Sequence, residues 1–193
     1  IYVYNPMLVL VNPQPLELQS RTGTRTVATA VACHHSEKAA TMPITWHTLH
    51  HSALSTRDLY ALLELRSRVF VVEQNCAYQD VDGQDLSADT HHLLARQDGQ
   101  LLAYLRLLDP STQGGEVVIG RVLTAPAARG SGLGHALMEH AIEACTRLWP
   151  GRPIYLSAQA HLQGYYGRYG FLAVTEPYLE DNIPHIGMRR AVA

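Results

Sequence analysis

A glycine-rich turn set between a strand-like and a helix-like segment constrains this chain more than any other feature. Arg129-Gly130-Ser131-Gly132-Leu133-Gly134 follows the β-rich run 116–123 and Pro126. It leads into Leu137, Met138, Ala141, Ile142, Cys145 and Leu148, which recur at helical spacing. The first amides of a helix have no intrahelical acceptor, and the helix dipole is positive there. Glycines let the backbone approach an anion and take positive φ. Such a turn suits a phosphate group, and Arg129 adds a fixed positive charge. It is neither of two common phosphate motifs. A dinucleotide fingerprint would need glycine where Leu137 stands, and a P-loop would need Gly-Lys-Ser/Thr.

The segments around the turn define a mixed fold. Residues 44–49 alternate and read as a strand, and Ser55-Thr56-Arg57-Asp58 opens a helix in capping-box style. Leu59, Leu62, Leu63, Arg66, Val69 and Phe70 continue it at helical spacing. After a polar loop over 75–90, residues 92–97 and 101–108 form a hairpin around Asp98-Gly99. The run 116–123 is the fourth strand, the helix from the glycine turn stops at Pro150-Gly151, and 154–158 is the fifth strand. A short helix over 161–169, closed by Gly170, precedes strands at 171–175 and 185–189. The order β-α-β-β-β-α-β-α-β-β predicts an α/β or α+β fold, a mixed sheet flanked by helices.

With 193 residues, 47% apolar and 17% charged, the chain has room for one domain with a sizeable core. Its net charge of −2 and the lack of a dense basic patch argue against nucleic acid. Cys33, Cys76 and Cys145 form no CxxC pair, which reads as reduced thiols in a cytoplasmic protein. No run reaches membrane-span length, and Tyr2–Val11, broken by Asn5 and Pro6, makes a poor signal peptide. Residues 1–42 lack a sustained period and read as an extension outside the folded domain at 43–193, with Met42 a candidate start.

Arg129-x-x-Gly132-x-Gly134 resembles the R/Q-x-x-G-x-G/A signature of the GNAT N-acetyltransferases. Tyr166-Gly167-Arg168-Tyr169-Gly170-Phe171 is similar to that superfamily's Y-x-x-x-G-F segment. Residues 68–75, 80–83, 158–163 and 183–188 together look like its ElaA-type branch. The resemblance covers roughly 43–190 and implies a mostly antiparallel sheet splayed between the fourth and fifth strands. Acetyl-CoA would lie in that opening. Val122, Leu123 and Thr124 would bond the pantetheine and polarise the thioester carbonyl. Arg129, Gly130, Ser131, Gly132, Leu133, Gly134 and His135 would hold the diphosphate. Gln159 stands where the family usually has Asn.

The reaction so implied is direct attack by a primary amine, with no metal. Tyr166 occupies the family's tyrosine position; its phenol, with an ordinary pKa of about 10, can donate a proton to the leaving thiolate. The fifth strand offers no glutamate. Glu73 is the candidate base, or else an ion-pair partner of Arg66, Arg68 or Arg121; His161 and His185 are alternatives. The acceptor would be a small amine or a peptide, and a homodimer stays open. Two other functions remain: a non-catalytic acyl-CoA sensor, and an acyl-homoserine-lactone-synthase-like enzyme.

Asp80, Asp82, Asp85 and Asp89 suggest calcium, but the glycine falls too early for an EF-hand. The polar loop reads instead as an acidic lip for a cationic amine, or as a solvated loop. The pairs His34-His35, His50-His51 and His91-His92 lie on separate segments without a cysteine cluster, which weakens zinc.

Overall fold

A computed structural model describes residues 42–192. Of the extension expected at 1–42, only Met42 falls inside this range, and Cys33 and the pair His34-His35 lie outside it. The Met42 carbonyl accepts from Gln97, and its backbone N–H donates to Asp98.

Strand β1 (Thr45–His50) is followed by helix α1 (Thr56–Arg66). The expected capping box is present: Ser55 and Asp58 satisfy each other's backbone amides. The helix runs on through wide π-type turns over Ser67–Glu73. The hairpin is β2 (His91–Gln97) with β3 (Gln100–Leu108), then comes β4 (Val117–Thr124). Helix α2 (Leu133–Leu148), β5 (Ile154–Gln159) and α3 (Gln163–Gly167) follow. The chain closes with β6 (Leu172–Ala173), β7 (Tyr178–Glu180) and β8 (Ile183–Arg190). The expected strand 171–175 shrinks to two residues. Strand β7, unforeseen in the sequence, pairs with β8 through Asp181 and Asn182, both at positive φ as in a two-residue hairpin turn.

The eight strands form one mixed sheet in the order β1-β2-β3-β4-β5-β8-β6, with β7 also on β8. All pairings are antiparallel except β4 with β5. Strand alternation sends Leu93, Leu105, Ile119, Leu156 and Ile186 to one face, where Leu137, Met138 and Ala141 of α2 cover them. The opposite face carries Leu94, Tyr104 and Leu123 under Leu62, Leu65, Val69 and Phe70.

The sheet opens at β4. Val117 pairs with Ile154 and Val118 with Tyr155, and among the described residues the two strands pair no further. On the other edge of β4 the register slips between Tyr104 and Arg106, so Arg121 and Val122 share the space opposite Leu105. Arg121 sits there at φ 55. A bulge of this kind bends and twists its strand, and it swings the end of β4 away from β5.

Candidate active site

The glycine turn closes one side of that opening. A short 3-10 turn at Pro126–Ala128 delivers Arg129, and Gly132 caps α2 at φ 83. Gly130 is also left-handed, at φ 77, and a Cβ added at either glycine would meet nothing within 4 Å. Open space therefore lies in front of both, and α2 points its unpaired first amides toward it. A cavity of ≈ 340 Å³ occupies this space. Its walls are Thr124 from β4, Ala128 to Gly130, Gly132 to His135, and Tyr165 from α3. Ser131 turns aside to bond the Ala128 carbonyl at 2.7 Å. Val122, Leu123 and Gln159 do not line the cavity; all three are buried on β4 and β5 beside the opening. The hydroxyl oxygen of Thr124 is buried without a partner.

Tyr166 lies at the end of α3, 2% exposed, edge-on to the rings of Tyr165 and Phe171. Burial, with Tyr165 and Tyr169 adding to it, raises its pKa well above the phenolic value of 10. The hydroxyl thus stays protonated at neutral pH, and burial makes it a weaker acid than a free phenol.

Glu73 ends the wide turns after α1. Its carboxylate takes two hydrogen bonds from Arg129, at 2.6 and 2.9 Å. An ion pair was one of its two expected roles, but with Arg66, Arg68 or Arg121. Arg66 and Arg121 bond the 80–85 loop and Arg68 bonds Glu64, so the geometry leaves Arg129 as the partner.

The acidic loop also differs from expectation. Asp80, Asp82 and Asp85 face inward, at most 6% of each side chain exposed. Arg66 binds Asp80 and Asp85, Arg106 binds Asp82 and Asp85, and Arg121 binds Asp80 and Asp82. Burial alone would raise the Asp85 pKa, but Arg106 and Arg66 outweigh it and hold the carboxyl below its usual 3.8. These aspartates are therefore neither a lip for a cation nor a solvated loop. They clamp Arg121, the residue at the β4 bulge. Asp89 accepts instead from the indole of Trp149. Among the described residues no group of acidic, histidine or cysteine side chains could hold a metal ion.

The acetyltransferase (GNAT) domain model matches residues 57–192. The chain belongs to the GNAT acetyltransferase family. Protein ElaA of Escherichia coli K12 is 54% identical to it over 149 residues, 77% of this chain and 97% of that relative. The crystal structure of E. coli ElaA, 53% identical, superposes with a TM-score of 0.74 over 77% of this chain and 99% of that one. An acyl-CoA N-acyltransferase from Pseudomonas aeruginosa, 68% identical, superposes with a TM-score of 0.76 over 77% of this chain and all of that one. The ElaA-type resemblance and the GNAT fold, with its splayed strands and flanking helices, are thereby established.

This GNAT domain also holds polar groups that the sequence did not single out, Tyr165, Tyr169, Ser157, Tyr178 and Glu180, gathered around His135 and the alternative base His185. Tyr165 lines the cavity and donates to the Gly134 carbonyl at 2.7 Å, while the Tyr169 hydroxyl lies 2.5 Å from Nδ1 of His135. Both rings therefore brace the head of α2. Their spacing to the glycine turn is 31 and 34 residues, and nothing local signals it. Across the opening, on the α1 side of the sheet, β5 carries Ser157. Its Oγ lies 2.5 Å from the Tyr178 hydroxyl and donates to Glu180 at 3.4 Å. His185 on β8 stacks on Tyr178; its Nδ1 meets the Ile183 carbonyl, and its buried Nε2 has no partner. Burial lowers its pKa below 6.5.

Proposed function

We propose that this chain is an acetyl-CoA-dependent N-acetyltransferase acting on a primary amine by direct attack. The observation that carries this reading is the ≈ 340 Å³ cavity running from the amide-lined head of α2 to Thr124 at the open end of β4. A diphosphate needs clustered N–H donors and room for close approach. Gly130 and Gly132, with empty space where their side chains would be, supply both.

In this reading Arg129 and the backbone of Gly130, Ser131, Gly132, Leu133, Gly134 and His135 hold the diphosphate. Val122, Leu123 and Thr124 offer strand-edge groups to the pantetheine arm, with Gln159 at the far side. Acetyl-CoA would supply the activated acetyl group as a co-substrate. A backbone N–H fixed beside the carbonyl oxygen stabilises the charge that grows there. The bulge at Arg121 is what leaves that edge of β4 unpaired. Tyr166 gives its proton to the departing sulfur, whose thiol has an ordinary pKa of about 8.5. Glu73 balances the charge of Arg129 and competes with the diphosphate for it.

Thiol release from acetyl-CoA tests the reading. The amines are primary alkylamines, polyamines and peptides, with S-adenosylmethionine as a further arm. Release with simple primary amines is expected. CoA binding without release would identify an acyl-CoA sensor. Preference for S-adenosylmethionine would place the chain with the lactone synthases in chemistry.

A further inference from the structure

An alkylammonium acceptor has a pKa of about 10.4 and must shed a proton before its nitrogen can attack. Strand β5 brings no carboxylate to the opening, and both oxygens of Glu73 are engaged by Arg129. The open end of the sheet nevertheless holds Glu180, whose carboxylate accepts from Ser157. We propose that Glu180 is the general base of the transfer, taking the acceptor's proton at the Ser157–Tyr178 cluster beside the gap between β4 and β5. The assignment rests on the acetyl-transfer reading.

Three placements support it. Ser157 lies two residues beyond Tyr155, the last β5 residue paired with β4, so its hydroxyl stands where the opening begins. The β7–β8 hairpin then carries Tyr178, opposite His185, and Glu180, opposite Ile183, so that both side chains reach over β8 to that hydroxyl. Gly187 makes room beside Ser157 for two neighbours: a Cβ there would lie 2.6 Å from the Tyr155 hydroxyl and 2.8 Å from Thr175 Cγ2. Glu180 is half-buried, so its carboxylate is shielded yet reachable.

The charges around it suit the role. Partial burial, with Asp181 beside it in the turn, pushes the Glu180 pKa up to about 7; the Ser157 hydrogen bond and Arg121 on β4 pull the other way. The Tyr155 side chain faces the same cluster, close enough for Tyr178 and Glu180 to act on its hydroxyl. A base poised near the working pH is the most effective one. His185 is the nearest rival, but its free Nε2 is sealed from solvent and burial weakens its basicity.

The proton balance is complete. An N–H bond of the ammonium breaks, its electron pair stays on nitrogen, and an O–H bond forms on Glu180. Nitrogen then bonds the acetyl carbon as the C–S bond breaks, and sulfur takes the Tyr166 proton. The second nitrogen proton, acidic once the C–N bond exists, passes to the Tyr166 oxygen, and Glu180 releases its own proton to solvent, so that one proton leaves per turnover.

The experiment compares n-butylamine, a protonated acceptor at neutral pH, with hydroxylamine, which is largely unprotonated there and needs no base. Wild type and Glu180→Gln are assayed for thiol release from pH 5.5 to 9, with CoA affinity as the check on folding. The expected result is a loss of about 100-fold with n-butylamine, disappearance of the acid limb near pH 7, and less than a threefold change with hydroxylamine. Glu180→Asp should restore part of the limb. An unchanged n-butylamine profile in Glu180→Gln, or equal losses with both amines at intact CoA affinity, would overturn the assignment while leaving the transferase reading standing. Should Glu180→Gln fail to fold, a Glu180→Asp limb unmoved from wild type and abolished in His185→Gln would overturn it in favour of His185. Absence of thiol release by wild type with either amine would sink both readings together.

Discussion

Arg129 donates from both terminal nitrogens to both oxygens of Glu73, at 2.6 and 2.9 Å, and so ties the end of the α1 region to the turn that opens α2. The pair joins two parts of the candidate site separated by 56 residues. An anion entering the turn meets an arginine whose charge is already balanced. Glu73→Gln removes that competing charge. CoA should then bind about fivefold more tightly, the equivalent of about 1 kcal/mol for a partly exposed pair. Arg129→Ala should weaken it. Isothermal calorimetry measures both; weaker binding in Glu73→Gln would show that the carboxylate positions Arg129 rather than competing for it.

Tyr166→Phe removes a hydroxyl that makes no hydrogen bond among the described residues. Stability should change by less than about 1 kcal/mol, since no partner is stranded. Turnover should fall at least tenfold with acetyl-CoA affinity unchanged, because the proton donor and not the binding surface is lost. Steady-state kinetics beside a CoA titration separate the two. Equal turnover would remove Tyr166 from the chemistry.

The buried charges predict a large stability effect. Arg121→Met leaves Asp80 and Asp82 each short of a partner at a site that is almost fully buried. Breaking one side of such a network costs about 3–5 kcal/mol. Urea denaturation should show this loss, and a change below about 1 kcal/mol would mean that the aspartates rehydrate in place.

His92 makes stability pH-dependent. It is fully buried, with Nδ1 2.8 Å from the Tyr104 hydroxyl and Nε2 2.9 Å from the Asp85 carbonyl. Burial lowers its pKa from 6.5 to about 4. The unfolded chain therefore takes up this proton first as pH falls. Its contribution is fully present above about pH 6.5 and is lost between 6.5 and 4, by about 3 kcal/mol. Glu180, with its raised pKa, acts in the opposite sense over the same window, so the readout is a difference: the urea midpoint of wild type relative to that of His92→Gln should fall as pH drops from 6.5 to 4. An identical slope in the variant would place the titrating group elsewhere.

Local signals in the sequence identified what local physics builds. The capping box at Ser55 and Asp58, the Asp98-Gly99 hairpin and the glycine turn before α2 each declare themselves within a few residues. The buried aspartates did not. Their composition reads as a solvated loop, and the arginines that neutralise them stand 14 to 41 residues away. Only the tertiary fold makes those pairs visible. Strand β7 was missed for a different reason. It is only three residues long, although Asp181-Asn182, a residue pair tolerant of positive φ, was a hairpin signal within reach. Glu180 went unnoticed with it, because its significance depends on Ser157, 23 residues earlier.

The grip of α2 on a diphosphate is tested most directly by calorimetric titration of the unmodified chain with CoA and with pantetheine, which shares the thiol arm but lacks the diphosphate. CoA should bind at least about 100-fold more tightly, a difference of about 2.7 kcal/mol, and Gly132→Glu should erase the difference. Equal affinities for the two ligands would mean that the cavity at Gly130 and Gly132 does not hold the diphosphate.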